Sequence, residues 1–176
     1  MEQSSGNFIY WTRFTHEHWS MYIAATPLGL CYVGSQNKEF EELENWVKKR
    51  LPSYDLVENA EKMHSYSDGL IEYLTGKSKN FTEPVDLYGT QFQKDVWKAL
   101  LEIPYGQTVS YTDIAVRVQK PSAVRSIGTA IGANPVLITV PCHRVLAKSG
   151  AMAGYRGGLE MKEQLLALEL GKEISK

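Results

Sequence analysis

The stretch SYTDIAVRVQKPSAVRSIGTAI, residues 110–131, decides the architecture of the C-terminal half. It holds two short helical patterns with a tight break between them. Ser110 and Asp113 have the S-x-x-D spacing of an N-terminal cap for a helix over 111–118, although the reciprocal capping box prefers Glu or Gln at the third position. Gln119-Lys120 is the break. Pro121 suits the first position of a second helix, where its missing N–H costs nothing, and that helix is expected to run to about Ile131. Two helices joined in this way predict a helix-turn-helix, the alternative being two ordinary packed helices. The second helix places Ala123, Ser126, Gly128, Thr129 and Ala130 at surface positions. These side chains are too short to read major-groove base edges, but they let a helix backbone approach a narrow groove. Arg125 is the one long basic side chain there.

Upstream, residues 91–102 form a helical pattern with Phe92, Val96, Ala99 and Leu100 as its apolar stripe, ended by Pro104-Tyr105-Gly106. The first half of the chain reads instead as α/β. Residues 19–25 and 30–33 are strand-like, and Thr26-Pro27-Leu28-Gly29 makes the turn between them. Phe40, Leu43, Val47 and Leu51 give a helix over 38–51 that Pro52 stops. A second helix is expected over 58–74. The polar segment 77–87, with Pro84, puts a domain boundary near residue 88, giving an N-terminal α/β domain (1–88) and a mainly helical C-terminal domain (89–176).

The 176 residues are 43% hydrophobic and 22% charged. This excludes collagen, coiled coil and intrinsic disorder, and fits a soluble globular chain. No apolar run is long enough to span a bilayer. The opening MEQSSGNFIYWTRF lacks the basic start and small-residue cleavage site of a signal peptide. Two cysteines, Cys31 and Cys142, make no disulfide framework, and a reducing cytoplasmic setting is expected. The net charge of −1 hides an asymmetry: residues 1–89 carry a net −5, residues 90–156 a net +5 and the remainder −1. A basic C-terminal half suggests a face for phosphates, though charges also segregate by accident.

The chemistry lies in Asn134-Pro135-Val136-Leu137-Ile138-Thr139-Val140-Pro141-Cys142-His143-Arg144-Val145. An apolar, strand-like run between two prolines delivers Cys142, with His143 next to it. Arg144 and Lys148 add positive charge, which favours thiolate over thiol, although a lone cysteine is often a small buried hydrophobe. The last helix, expected over 159–170, has Leu159, Met161, Leu165, Leu166, Leu168 and Leu170 on one broad arc. Glu169 falls inside that arc. A buried carboxylate needs a partner, and an imidazole is a suitable one, unless Glu169 reaches solvent at the helix end. The constellation is Cys142 as nucleophile, His143 as base and Glu169 as the acid that orients it. On an extended segment Cys142 and His143 would face opposite ways, so a relay needs a bent backbone or a bridging water; the water is the favoured route. The loop Gly154-Tyr155-Arg156-Gly157-Gly158 exposes backbone groups that could read the edge of a flat base.

Pro141-Cys142-His143-Arg144-Val145 resembles the signature of the O6-alkylguanine-DNA alkyltransferases, also called methylated-DNA–protein-cysteine methyltransferases. Val109-Ser110-Tyr111, Arg125, Gly132-Ala133-Asn134-Pro135, Tyr155, Gly157-Gly158-Leu159, Lys162-Glu163 and residues 165–169 are similar to that family in order and spacing. The resemblance covers about residues 90–170. It implies a ribonuclease-H-like α/β N-terminal domain and a helical acceptor domain. It also implies direct repair of O6-alkylguanine, and of O4-alkylthymine, in double-stranded DNA by irreversible transfer of the alkyl group to Cys142. By resemblance, His143 would deprotonate Cys142 through a water, Asn134 would tie the preceding strand to the active turn, and Tyr111 would press on a phosphate and donate to N3 of guanine. Arg125 would fill the gap in the base stack, and Ala123, Ser126 and Gly128 would face the minor groove. The carbonyls of Cys142 and Val145 would accept from the exocyclic amine, the Arg156 N–H would donate to O6, and Tyr155 would line the pocket.

Arg156 stands where some members carry Ser, which is expected to change the bulk at the pocket mouth. Some members bind zinc through paired Cys and His. Here Cys31, His16, His18 and His64 lack Cys-x-x-Cys spacing, and neither a metal nor another cofactor is expected. The protein is expected to act as a monomer. Two other classes compete: a lesion-binding sensor without chemistry, which the presence of Cys142 opposes, and a cysteine hydrolase, which the basic helical region opposes.

Overall fold

The computed structural model describes residues 6–171. The first and last five residues, which the sequence assigns to the ends of the two domains, lie outside the described residues, as does the start of the segment tested for a signal peptide. The chain opens with β1 (Phe8–His16), β2 (Trp19–Thr26) and β3 (Gly29–Val33). It continues with α1 (Phe40–Arg50), β4 (Asp55–Glu58) and α2 (His64–Leu74). The strands form one sheet in the order β3-β2-β1-β4, antiparallel except for the parallel pair β1–β4.

Both faces of this sheet are covered, which explains its sequence pattern. Odd residues of β2, Trp19, Met21, Ile23 and Ala25, enter the core shared with the C-terminal half, while Tyr22 and Ala24 face α1. Strands buried on both sides show little polar alternation. On the α1 side, Ile9, Cys31, Tyr32, Leu43, Val47 and Leu51 pack together. Gly29 turns into β3 with φ +152, and an added Cβ would stand 2.6 Å from the Pro84 carbonyl oxygen, so the linker runs tight against the hairpin.

The second half comprises α3 (Gln91–Leu101), β5 (Val109–Ser110), α4 (Tyr111–Arg117), α5 (Val124–Gly132), a single 3-10 turn (Cys142–Arg144), β6 (Val145–Leu146) and α6 (Leu159–Glu169). Thr90 and Gln93 close a reciprocal capping box on α3. Ser110 and Asp113 do the same on α4, so Asp serves where Glu or Gln was the expected requirement. β5 and β6 pair in parallel and bring the start of α4 beside the 3-10 turn. The two halves share one continuous core, and Val33 N–H donates to the Pro135 carbonyl across them at 2.9 Å.

Several expectations are corrected. The helix expected over 58–74 begins only at His64, because Glu58 closes β4. The helix expected from Pro121 begins at Val124, after a turn in which Ala123 N–H bonds to the Lys120 carbonyl. Ala130 is buried rather than on the surface. The apolar run 134–140 is not a strand. Only Val136 makes a bridge, to Val33, and Ile138 turns the chain with φ +69. Its apolarity reflects burial in a turn rather than sheet pairing.

Trp97 on α3 fixes α5 in place. It is buried, and its Nε1–H donates to the Ala130 carbonyl at 2.8 Å. Trp97→Phe should lower stability in urea by about 1–3 kcal/mol, from lost volume and a lost buried donor. An unchanged unfolding midpoint would contradict this packing.

Candidate active site

The site is built around the 3-10 turn. Cys142 N–H bonds to the Val140 carbonyl at 2.8 Å and Arg144 N–H to the Pro141 carbonyl at 3.0 Å, which bends the backbone sharply. The extended geometry expected at Cys142-His143 is therefore absent. Asn134, fully buried, holds the turn from behind. Its Nδ2 donates to the Val140 carbonyl at 3.0 Å and lies 3.3 Å from both the Val136 carbonyl and Cys142 Sγ. Its Oδ1 accepts from Val136 N–H at 2.9 Å.

His143 is fully buried, and its Nε2 lies 2.6 Å from Glu169 Oε2. The expected partnership of Glu169 with an imidazole is present. It is part of a larger cluster than the sequence suggested. Arg144 grips the same carboxylate with two prongs, Nε to Oε1 at 2.7 Å and Nη2 to Oε2 at 2.9 Å, and its Nη1 donates to the Ile103 carbonyl at 2.6 Å. Tyr73 on α2 donates its hydroxyl to Glu169 Oε2, and Gly106 N–H donates to Oε1 at 3.1 Å. Burial alone would raise the Glu169 carboxyl, but the bonds from His143, Arg144 and Tyr73 outweigh it and hold the group well below the usual carboxylate range.

Burial pushes the His143 pKa down, against the pull of Glu169, so the imidazole is neutral. A carboxylate at Nε2 fixes the proton there. His143 Nδ1 is then the acceptor, and it has no hydrogen-bond partner among the described residues. Cys142 is buried, and burial raises its thiol pKa despite the Asn134 hydrogen bond and the charges of Arg156 and Lys162. The thiol is thus the resting form, a correction to the expected thiolate. Arg144, expected to supply charge to the sulfur, is committed to Glu169 instead.

A charge on Cys142 would act on both Tyr111 and Tyr155. Burial raises both phenols, and Tyr155 Oη is buried with no hydrogen-bond partner among the described residues. Gly128 of α5 lies against the Tyr111 ring, where an added Cβ would sit 3.7 Å away. Arg125 and Ser126 are exposed on α5, and Ala123 and Gly128 are half-buried. Val145 is buried at β6, and its carbonyl accepts from Lys162 Nζ at 2.7 Å. The Arg156 side chain is turned away from the expected pocket mouth and reaches into the N-terminal domain. Tyr73, Lys162 and the bridging role of Arg144 were missed from sequence. Lys162 had a signal: it falls beside Glu169 on the helical projection of α6, inside the same apolar arc. No group of three or more His, Cys, Asp or Glu residues is placed to hold a metal among the described residues.

Two family models match. Residues 9–87 match the ribonuclease-like domain, and residues 91–171 the DNA binding domain, of 6-O-methylguanine DNA methyltransferase. The chain is 58% identical over 161 residues to the inducible methylated-DNA–protein-cysteine methyltransferase of Bacillus subtilis, covering 92% of this chain and 90% of that one. It is 40% identical over 150 residues to the methylated-DNA–protein-cysteine methyltransferase of Methanosarcina barkeri, covering 84% and 94%. Among solved structures it resembles the O6-methylguanine methyltransferase of Mycobacterium tuberculosis, with TM-score 0.78, 33% identity and 96% of each chain covered. The same organism's OGT in complex with DNA aligns with TM-score 0.75, 33% identity and 93% of each chain.

A neutral buried His143 has a consequence for stability. Below about pH 6.5 the unfolded chain binds a proton at His143 that the folded protein excludes, so stability falls with pH. His143→Gln lacks that proton. Its stability relative to the wild type should improve as pH falls from about 8 to about 5.5 in urea titrations. A gap independent of pH would contradict the neutral imidazole.

Proposed function

The chain belongs to the 6-O-methylguanine DNA methyltransferase family, and from that premise we propose that it repairs O6-alkylguanine in duplex DNA by moving the alkyl group onto Cys142, once per molecule. The observation that carries the reading is the bond between His143 Nε2 and Glu169, which leaves Nδ1 free on the residue next to the thiol.

A protonated thiol must be ionised at the moment of reaction. His143 Nδ1 takes the Cys142 proton through one bridging water, and Glu169 stabilises the imidazolium that results. Sulfur forms a bond to the alkyl carbon as the O6–carbon bond breaks, and the bonding pair stays with guanine. Tyr111 donates a hydrogen bond to N3 as that charge develops. The leaving base then takes up a proton, so the net change is thiol proton to guanine and alkyl group to sulfur. The thioether is stable, and the protein does not turn over.

The target carbon is inaccessible inside a duplex, so the nucleotide is flipped out. The small face made by Ala123, just before α5, and by Ser126 and Gly128 of α5 lies against the minor groove, and Arg125 fills the gap left in the stack. The carbonyls of Cys142 and Val145 accept from the exocyclic amine, the backbone N–H of Arg156 donates to O6, and Tyr155 lines the pocket. Lys162 orients the Val145 carbonyl for this contact. Phosphate contacts dominate affinity and make it sensitive to salt. O4-alkylthymine is a second substrate. The protein acts as a monomer, with residues 1–88 as scaffold and residues 89–176 as the acceptor domain. No described helix is long and apolar enough to cross a membrane, and the place of action is the cytoplasm, where both free cysteines stay reduced.

Incubation with duplex DNA containing O6-methylguanine should add one methyl to the peptide that holds Cys142. His143→Ala and Glu169→Gln should each slow transfer by about 100-fold, while DNA affinity, set by phosphate contacts, holds. An unmodified Cys142 peptide, or equal losses in transfer and binding, would overturn the proposal.

A further inference from the structure

Away from the relay, a dense polar cluster joins the pocket loop to the N-terminal domain. All three side-chain nitrogens of Arg156 donate there. Nε donates to the Asn134 carbonyl at 3.1 Å, and Nη2 to the Val33 and Pro135 carbonyls at 2.8 and 3.2 Å. Nη1 lies 3.2 Å from Glu42 Oε1 and 3.3 Å from both Tyr32 Oη and Ser35 Oγ. The guanidinium also sits over the Tyr32 ring, 5.1 Å from its centroid. Ser35 Oγ returns a bond to the Arg156 carbonyl at 3.3 Å, so side chain and backbone of this residue are both fixed.

Glu42 on α1 is the hub on the other side. The same Oε1 that meets Arg156 accepts from Tyr32 Oη at 2.7 Å and Ser35 N–H at 2.8 Å. It is the only carboxylate in bonding range of the guanidinium among the described residues. A half-buried arginine held by neutral acceptors alone would lose much of its hold, because charge-assisted bonds are the strong ones.

The line of contacts continues to the reacting atom. Arg156 bonds the Asn134 backbone, and the Asn134 side chain lies 3.3 Å from Cys142 Sγ. Tyr155, next to Arg156, is half-buried with its hydroxyl oxygen enclosed, and a charge on Cys142 would raise its phenol. Resting on the reading given under Proposed function, we infer that Glu42 is a positioning residue for alkyl transfer: through Arg156 it holds the loop 154–158 and Asn134 in register with Cys142. The N-terminal domain thereby sets the rate of the chemistry without touching the substrate. Small displacements of reacting groups cost large factors in rate. The positive charge of Arg156 also favours the Cys142 thiolate, so its placement affects the same step.

Because each molecule reacts once, positioning and folding can be measured separately. The final methyl stoichiometry reports the fraction of intact sites, and the single-turnover rate constant at saturating O6-methylguanine duplex reports positioning. Glu42→Gln, which keeps shape and removes charge, should lower the rate constant by about tenfold while the end point stays at one methyl per chain. Glu42→Asp should recover part of the rate. Glu42→Gln combined with Arg156→Gln should be no slower than Arg156→Gln alone, since both act through one contact. An unchanged rate constant with a reduced end point would mean a structural staple only and would overturn the inference, as would additive losses. A wild-type protein that takes up no methyl would defeat the repair reading itself, and the inference with it.

Discussion

A single buried carboxylate organises the reactive half of this molecule. Glu169 leaves the last turn of α6 and is held by an imidazole, a two-pronged guanidinium, a phenol and a backbone N–H. They come from three parts of the chain: the active turn, which supplies both His143 and Arg144, α2 in the N-terminal half, and the segment after α3. Burying such a charge is costly unless every lone pair is answered, and removing one partner strands the rest. The cluster therefore fixes where α6, α2 and the Cys142 turn sit relative to one another. Its Arg144 cation neutralises Glu169 and lies 5.7 Å from the Tyr105 ring centroid, which closes the cluster on its outer side.

That arrangement resolves an apparent conflict at the sulfur. Burial keeps Cys142 a thiol, which is unreactive, while the neutral His143 retains one free nitrogen. A thiol that ionises only when a base and a substrate are both in place is shielded from adventitious electrophiles. The positive charges that help the thiolate, Arg156 and Lys162, are not sequence neighbours of the cysteine. Their charges act on it through space from the pocket loop and from α6, so the reactivity of one atom depends on groups in separate segments.

Much of this was legible in residue patterns, for identifiable reasons. Glu169 betrayed itself by lying in an apolar arc, and the start of α4 was signalled by its cap at Ser110 and Asp113. β1 was not recognised, because its hairpin turns through Glu17, at φ +53, instead of a glycine or asparagine signal. β4 is only four residues long and sits at the sheet edge. The run from Asn134 to Val140 has the composition of a buried strand, but a side chain, Asn134, supplies the bonds a neighbouring strand would have made. Arg156 looked like bulk at a pocket mouth because its partners, Glu42 and Ser35, lie more than a hundred residues away in sequence. Spacing rules reach about one helix or hairpin, and this contact lies far beyond them.

The central claim is that Glu169 fixes the proton of His143 on Nε2 and leaves Nδ1 as an unprotonated acceptor. Nitrogen-15 NMR of imidazole-labelled protein at neutral pH tests it directly. The account predicts a neutral ring with a protonated, pyrrole-like Nε2 and a pyridine-like Nδ1. An imidazolium, or the tautomer protonated at Nδ1, would contradict it.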